Sequence, residues 1–293
     1  MREILGIVLP TFLAVGLGFA FGKWRKPDMT PVVDVAMYIC VPALAFTSML
    51  GGPVDLASAA RLWVSALIVM VGTYLMARLV FGLLGRKHSG LYLPIVFMNT
   101  VNIPFPIMFL AFGSEGLAKV TLFYIPTALL VYSWGIHLAA RSTSWQASAK
   151  EILKVPLLFA SVAGLVVGLL EVQLPALLVD SLEFISQAAI PLVLIVLGVN
   201  MAATRVSQFS TALLASGLRM GVGLGLGFAA VALLGLTGLE RTVVIFEAGM
   251  PGAAFVALLA AKYDNEAELV SSVVFLTTVA ALVTVPLYLL LLR

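Results

Sequence analysis

Apolar residues collect along the chain in runs close to the roughly 20 residues that carry a helix across a bilayer. Short stretches rich in charge, glycine or proline separate them. Read between those breaks, the runs predict spans near residues 4–22, 32–50, 62–83, 91–112 and 117–139, then 155–171, 181–201, 210–235, 242–261 and 268–291. Ten spans return both termini to the same side. The pattern predicts an all-α membrane protein, with one five-helix half over 1–140, a linker over 141–154 and a second five-helix half over 155–293. The first run resembles a signal peptide, but no small-residue cleavage site follows it and it leads directly into further spans, so it reads as a retained first helix.

Composition narrows the class. With 62% of 293 residues hydrophobic and 11% charged, the chain has too little charge to cover a soluble globule. Its single cysteine, Cys40, lies within an apolar run and reads as a small packing residue. Of the 17 lysines and arginines, ten follow odd-numbered spans: Lys23, Arg25, Lys26, Arg86, Lys87, Arg141, Lys150, Lys154, Arg205 and Lys262. Five lie on the other side (Arg2, Arg61, Lys119, Arg241, Arg293), and Arg78 and Arg219 fall inside spans. Basic loops are retained in the cytoplasm, so the asymmetry predicts both termini outside the cytoplasm; the expected location is the bacterial inner (plasma) membrane. The net charge of +3 then reflects topology and implies no nucleic-acid partner.

Proline marks an internal repeat. Pro42 recurs as Pro191 at an offset of 149, with Asp34 and Glu183 at the same offset, and Pro104 recurs as Pro251 at an offset of 147. Each half has an odd number of spans, so the second enters from the opposite face and the repeat is inverted, an arrangement associated with alternating access.

Two segments cannot be plain helices. Span 4 contains Asn99, Thr100, Asn102, Pro104 and Pro106 within eight residues. Its prolines remove amide donors and clash with the preceding turn, freeing carbonyls that hydrocarbon cannot satisfy. Span 9 contains Glu247, Gly249, Met250, Pro251 and Gly252. Asn99 and Pro251 both fall about ten residues into their spans, near mid-depth of a bilayer about 30 Å thick. Half-helix N-termini meeting there would attract a carboxylate. The freed carbonyls, the Glu247 carboxylate and the amide oxygens of Asn99 or Asn102 would suit a small cation. Interhelical hydrogen bonding is the alternative for either asparagine. An acid as deep as Glu247 costs several kcal/mol unless paired, protonated or hydrated, which marks it as functional.

Other features read more plainly. Gly217, Gly221 and Gly225 have the spacing of close helix packing. Arg219 either snorkels to the cytoplasmic surface, the favoured reading, or counter-charges an anion. His137 sits by an interface, and Trp24, Trp134 and Trp145 read as interfacial anchors. Two histidines in separate regions, His88 and His137, give no basis for an enzyme.

These segments resemble the auxin efflux carrier family, which includes the plant PIN-FORMED carriers and bacterial malonate or malate permease-like proteins. The likeness covers the whole chain. It is carried by Asn99 to Pro106, by Val41, Pro42, Ala43 and Leu44, and by Met250 to Ala254 continuing into Lys262, Tyr263 and Leu269 to Ser272. It implies ten helices, scaffold and transport subdomains, a crossover of spans 4 and 9, and an organic anion bound beside that crossover, with Pro42, Asn99, Asn102, Pro104, Pro106, Met250, Pro251 and Gly252 lining the site. Glu247 to Met250 also resembles the Glu-x-Gly-Met segment that helps bind sodium in bile acid and sodium symporters, whose fold is related. By that likeness Thr121 and Thr127, with Asn99, Asn102, Glu247 and Met250, belong to ion coupling, and Na+ would sit at Glu247. The linker of about fifteen residues lacks the long hydrophilic loop of many plant carriers, which points away from auxin itself. The expectation is a secondary transporter of small carboxylates, symporting Na+ or H+ by an elevator-type motion. An uncoupled uniporter or exporter and an anion-binding sensor remain alternatives. No organic cofactor is expected; the partners are the carboxylate and membrane lipid, with a homodimer left open.

Overall fold

A backbone that meets no water can satisfy its amides and carbonyls within helices, and every regular element among the described residues is helical. The structure is a computed structural model and describes residues 2–51, 55–140 and 150–292. Most of the expected linker, with Arg141 and Trp145, lies outside the described residues, as does Arg293. In chain order the helices are α1 (Arg2–Arg25), α2 (Thr30–Val35), α3 (Val41–Gly51), α4 (Leu56–Leu83), α5 (Tyr92–Val96), α6 (Pro104–Leu130), α7 (Ile136–Ala140) and α8 (Pro156–Leu169). They continue as α9 (Ala176–Ser186), α10 (Ala189–Ala203), α11 (Phe209–Gly217), α12 (Gly223–Leu234), α13 (Gly238–Ala248), α14 (Ala254–Lys262) and α15 (Ala267–Leu292). Wider π turns at Ala36–Cys40, Val131–Gly135 and Leu218–Val222 carry helices through without interruption. The first of these immediately precedes Val41 and Pro42, where the proline ring would otherwise strike the preceding turn.

Seven of these stretches are long and apolar enough to cross a membrane: Gly6–Arg25, Thr30–Leu50, Leu56–Leu83, Pro104–Ala140, Ala176–Ala203, Phe209–Leu234 and Ala267–Leu292. The difference from ten has a local cause in each case. Expected spans 4 and 9 are each interrupted, so neither presents one helix of sufficient length. Expected span 6 is the 14-residue α8. Expected span 5 runs on from the second part of span 4 in the stretch Pro104–Ala140. That stretch is not straight, because Gly113 adopts φ 61, ψ −150, a conformation open to glycine. A β-carbon on Gly116 would lie 2.6 Å from the carbonyl oxygen of Met108. Eight residues of straight helix would separate them by about 12 Å, so the chain doubles back at Gly113.

The chain divides into two compact units, each drawing on both halves of the sequence. The first comprises Met1–Ala60, Val101–Ile125 and Leu153–Ala203. Within it α1 packs on α10 at the distance that absent side chains allow: a β-carbon on Gly198 would come within 2.7 Å of the Phe19 amide nitrogen, and one on Gly18 within 3.0 Å of the Ile195 backbone. Lys119, expected at the non-cytoplasmic end of span 5, is buried and donates to the Ser58 hydroxyl at 3.3 Å. Asp34 and Glu183, the acids matched by the repeat, are both exposed.

The second unit comprises Arg61–Thr100, Pro126–Ile152 and Thr204–Arg293. Its core gathers Phe81 of α4, Leu91 and Ile95 at α5, Ala212 and Ala215 of α11, and Leu269 and Val273 of α15. The Arg61 guanidinium grips the Glu240 carboxylate with two hydrogen bonds of 2.8 Å, joining α4 to α13. The loops before α5 and before α15 are joined by His88 Nδ1 against Glu266 Oε1 at 2.6 Å and by the Gly90 amide donating to Glu266 Oε2 at 2.8 Å.

Candidate functional site

The breaks expected in spans 4 and 9 meet in the second unit. α5 ends at Val96, where Phe97 turns to extended backbone with φ −95, ψ 109. α13 ends at Ala248, and the chain stays non-helical until Ala253, itself extended at φ −63, ψ 133, from which α14 starts. The two extended pieces run antiparallel with Met98 opposite Gly252. The Asn99 amide donates to the Pro251 carbonyl at 2.8 Å and the Ala253 amide to the Phe97 carbonyl at 2.9 Å. The remaining donors of the second break are met locally: the Met250 amide reaches the Glu247 carbonyl at 3.1 Å and the Gly252 amide reaches Thr277 Oγ1 at 3.2 Å. Pro251 has no amide hydrogen to satisfy. Breaking two helices inside an apolar core is tolerable because each break supplies the hydrogen bonds the other lost.

Side chains hold the pairing in register. Gly252 has no side chain because a β-carbon there would press to 3.0 Å on the Pro94 carbonyl oxygen. The Phe97 ring meets Trp134 edge-on at 5.9 Å, and Trp134 meets Tyr74 at 4.9 Å. Trp134 is therefore packed into the unit beside the break and is half-buried; Trp24 is 77% exposed. The Tyr288 ring lies over Gly249 and edge-on to Phe246 at 6.4 Å.

Arg219 sits in the π turn Leu218–Val222 and is fully buried. It neither snorkels nor reaches a surface. One terminal nitrogen donates to the carbonyls of Ile95 at 2.8 Å and Val96 at 3.2 Å, and the other donates to the carbonyl of Ala248 at 2.8 Å. These are the final carbonyls of α5 and α13, the helix ends that precede the two breaks. Such carbonyls lack intrahelical partners and carry the negative end of the helix dipole, so a cation there is favoured. The glycines that allow close approach are Gly223, whose β-carbon would collide with both the Arg219 guanidinium and the Ala248 carbonyl, and Gly227, whose β-carbon would lie 2.5 Å from that of Ala248. Gly217, Gly221 and Gly225, the expected packing stripe, meet nothing within 4 Å.

Glu247, next to Ala248, is also fully buried, and neither of its carboxyl oxygens meets a hydrogen-bond partner. The nearby charge is that of Arg219, whose two terminal nitrogens are directed to carbonyls while its buried Nε meets no hydrogen-bond partner. Two buried carboxyl oxygens without donors have the chemistry of a proton or small-cation site, since an unneutralised carboxylate there is expensive.

Of the residues expected at the site, Asn99, Thr127, Glu247, Met250, Pro251 and Gly252 belong to the second unit. All six are buried. Pro42, Asn102, Pro104, Pro106 and Thr121 belong to the first unit. There Pro104 and Pro106 open α6, Asn102 is half-buried just before it, and the Thr121 hydroxyl donates back to the Leu117 carbonyl at 2.8 Å. The residues that sequence reasoning missed are Thr277, Gly223 and Tyr288, together with the role of Arg219. The signal for two of them was Arg219, Gly223 and Gly227 at intervals of four, one face of a helix.

Described residues that are helical throughout their regular elements, with several membrane-length helices and two interrupted ones paired across their breaks, define a polytopic integral membrane protein. The chain belongs to the membrane transport protein family, the auxin efflux carrier family it resembles, whose profile matches residues 143–289. It is 32% identical over 295 residues to an uncharacterized transporter of Methanothermobacter thermautotrophicus, an alignment covering 96% of each chain. It is 23% identical over 300 residues to an uncharacterized transporter of Methanocaldococcus jannaschii, covering 97% of each.

Proposed function

We propose that this membrane transporter is a secondary transporter of small carboxylates that works by elevator-type alternating access, with Na+ or H+ coupled through Glu247. The observation that carries the coupling is the pair of Glu247 oxygens, buried and without a donor, in a position that only a proton, a cation or a charged partner makes tolerable. The anion assignment is supported by α14, which starts directly at the second break with no side-chain cap on its first amides. Unpaired amides and a positive dipole end favour a carboxylate. The same reading makes α6 its counterpart in an inverted repeat of ten segments. That repeat is supported by matched prolines: Pro104 opens α6 and Pro251 stands just before α14, while a π turn precedes Pro42 and a break between α9 and α10 precedes Pro191. In this reading the protein lies in the cytoplasmic membrane with both termini outside, the second unit moves as the transport subdomain and the first serves as scaffold.

The test is counterflow of labelled malonate and malate into proteoliposomes, with sodium and pH gradients imposed separately. Uptake accelerated by one gradient supports the coupled carriage. Uptake indifferent to both leaves a uniporter, and binding without counterflow overturns transport of these acids.

A further inference from the structure

We propose that Arg219 is the positioning residue of the crossover: one guanidinium ties the end of α5 to the end of α13, so that the two breaks keep a single geometry. Its two terminal nitrogens are divided between the helix ends, one on Ile95 and Val96 and the other on Ala248. Each end is followed at once by the extended piece that pairs with the other, Phe97 to Asn99 against Pro251 to Ala253. The two backbone hydrogen bonds of the crossover alone would leave the pieces free to slide or part whenever the local helices breathe. A rigid planar fork behind them fixes the separation of their anchor points. Full burial and the direction of its two terminal nitrogens make Arg219 a tie between backbone segments.

Gly223 is the second half of the device. One helical turn beyond Arg219, it leaves the space in which the guanidinium and the Ala248 carbonyl meet, and any β-carbon there would occupy that space. Lysine at 219 would keep the charge but offer a single nitrogen in place of a fork, so it could serve one helix end and would release the other. The functional half of the inference rests on the carboxylate-transport reading; the structural half does not.

The experiment compares wild type with Arg219→Lys and Gly223→Ala in lipid nanodiscs and proteoliposomes. Hydrogen exchange of peptides containing the Asn99 and Ala253 amides is expected to accelerate about ten-fold or more in both variants, while peptides of α4 and α15 keep their protection, because sub-global opening reports the local tie. Counterflow of labelled malonate is expected to show a half-saturation raised about five-fold or more with a maximal rate changed less than two-fold, as for loss of site geometry with the transport step retained. Gly223→Ala keeps the arginine and adds one methyl group, so it decides the matter even if Arg219→Lys fails to fold. Unchanged exchange at Asn99 and Ala253 in Gly223→Ala would overturn the inference, as would acceleration spread evenly over α4 and α15, which would make Arg219 a general stabiliser. If wild type carries no carboxylate, the proposed function fails and the exchange result still decides the role of Arg219.

Discussion

The Asn99 amide and the Pro251 carbonyl meet at 2.8 Å, joining two helix breaks 152 positions apart in the chain. Asn99 was expected to act through its side chain and Pro251 through its missing amide. Their backbones are what connect: a proline that cannot donate accepts from a residue that has left its own helix. A proline that ends one helix thus becomes part of the bond that makes ending the other tolerable.

Replacing Glu247 by Gln keeps its shape and removes its charge. Counterflow of malonate or malate is expected either to fall at least about ten-fold or to lose its response to the coupling gradient. The fold should be retained, because the side chain gives up no hydrogen bond in the folded state. A purified Glu247→Gln with wild-type uptake and wild-type ion dependence would refute the role.

Thr277 offers the acceptor for the buried Gly252 amide at 3.2 Å. Thr277→Val preserves shape and leaves that amide unpaired, at an expected cost of about 1–3 kcal/mol. Thr277→Ser should restore most of it. Denaturant unfolding of the three proteins checks the order; equal midpoints for Val and Thr would show that the amide has another partner.

The α1–α10 contact depends on backbone proximity. Gly198→Val is expected to destabilise the protein by about 1–3 kcal/mol through overpacking against Phe19. Gly16→Ala, on the same α1 but with nothing within 4 Å of the added carbon, should lie within about 0.5 kcal/mol of wild type. Thermal unfolding in detergent measures both, and similar midpoints would mean that α1 can shift to make room.

Outside the spans, the Asp28 carboxylate accepts the Thr30 amide at 3.0 Å and the Thr30 hydroxyl at 2.7 Å, which holds its pKa below the ordinary value. A group whose folded pKa is depressed contributes stability above its unfolded pKa and loses it as pH falls through the folded one. Wild type should therefore exceed Asp28→Ala by a small constant margin at neutral pH, and the margin should shrink below about pH 4. Paired unfolding curves from pH 7 to pH 3 test this; a margin that grows on acidification would reverse the assignment.

How far the sequence could be read depended on whether a feature had a local cause. The breaks at Phe97 to Ile103 and at Gly249 to Ala253 were legible because proline, glycine and amide residues inside an apolar run leave few alternatives. That the two breaks meet was legible from their shared depth and their crossover from family likeness, whereas the register of their pairing was not, since register between distant segments has no local signature. Arg219 was misread for the same reason. A lone arginine in an apolar run suggests a route to water, and the three carbonyls that its terminal nitrogens meet come from residues 95, 96 and 248. The glycine stripe was misplaced by two residues because Gly217 to Gly227 offers several spacings of four, and only the neighbour Ala248 distinguishes them. The turn at Gly113 was foreseen as a gap between spans, although its helical flanks leave almost no loop to see.

Arg219 and Gly223 also constrain how this chain can diverge. Any side chain gained at 223 costs the arginine its seat, and losing the arginine removes the reason for the glycine. The two positions should drift as a linked pair across descendants, and a lineage that fills 223 must recruit a different cation to the ends of α5 and α13 or abandon the crossover.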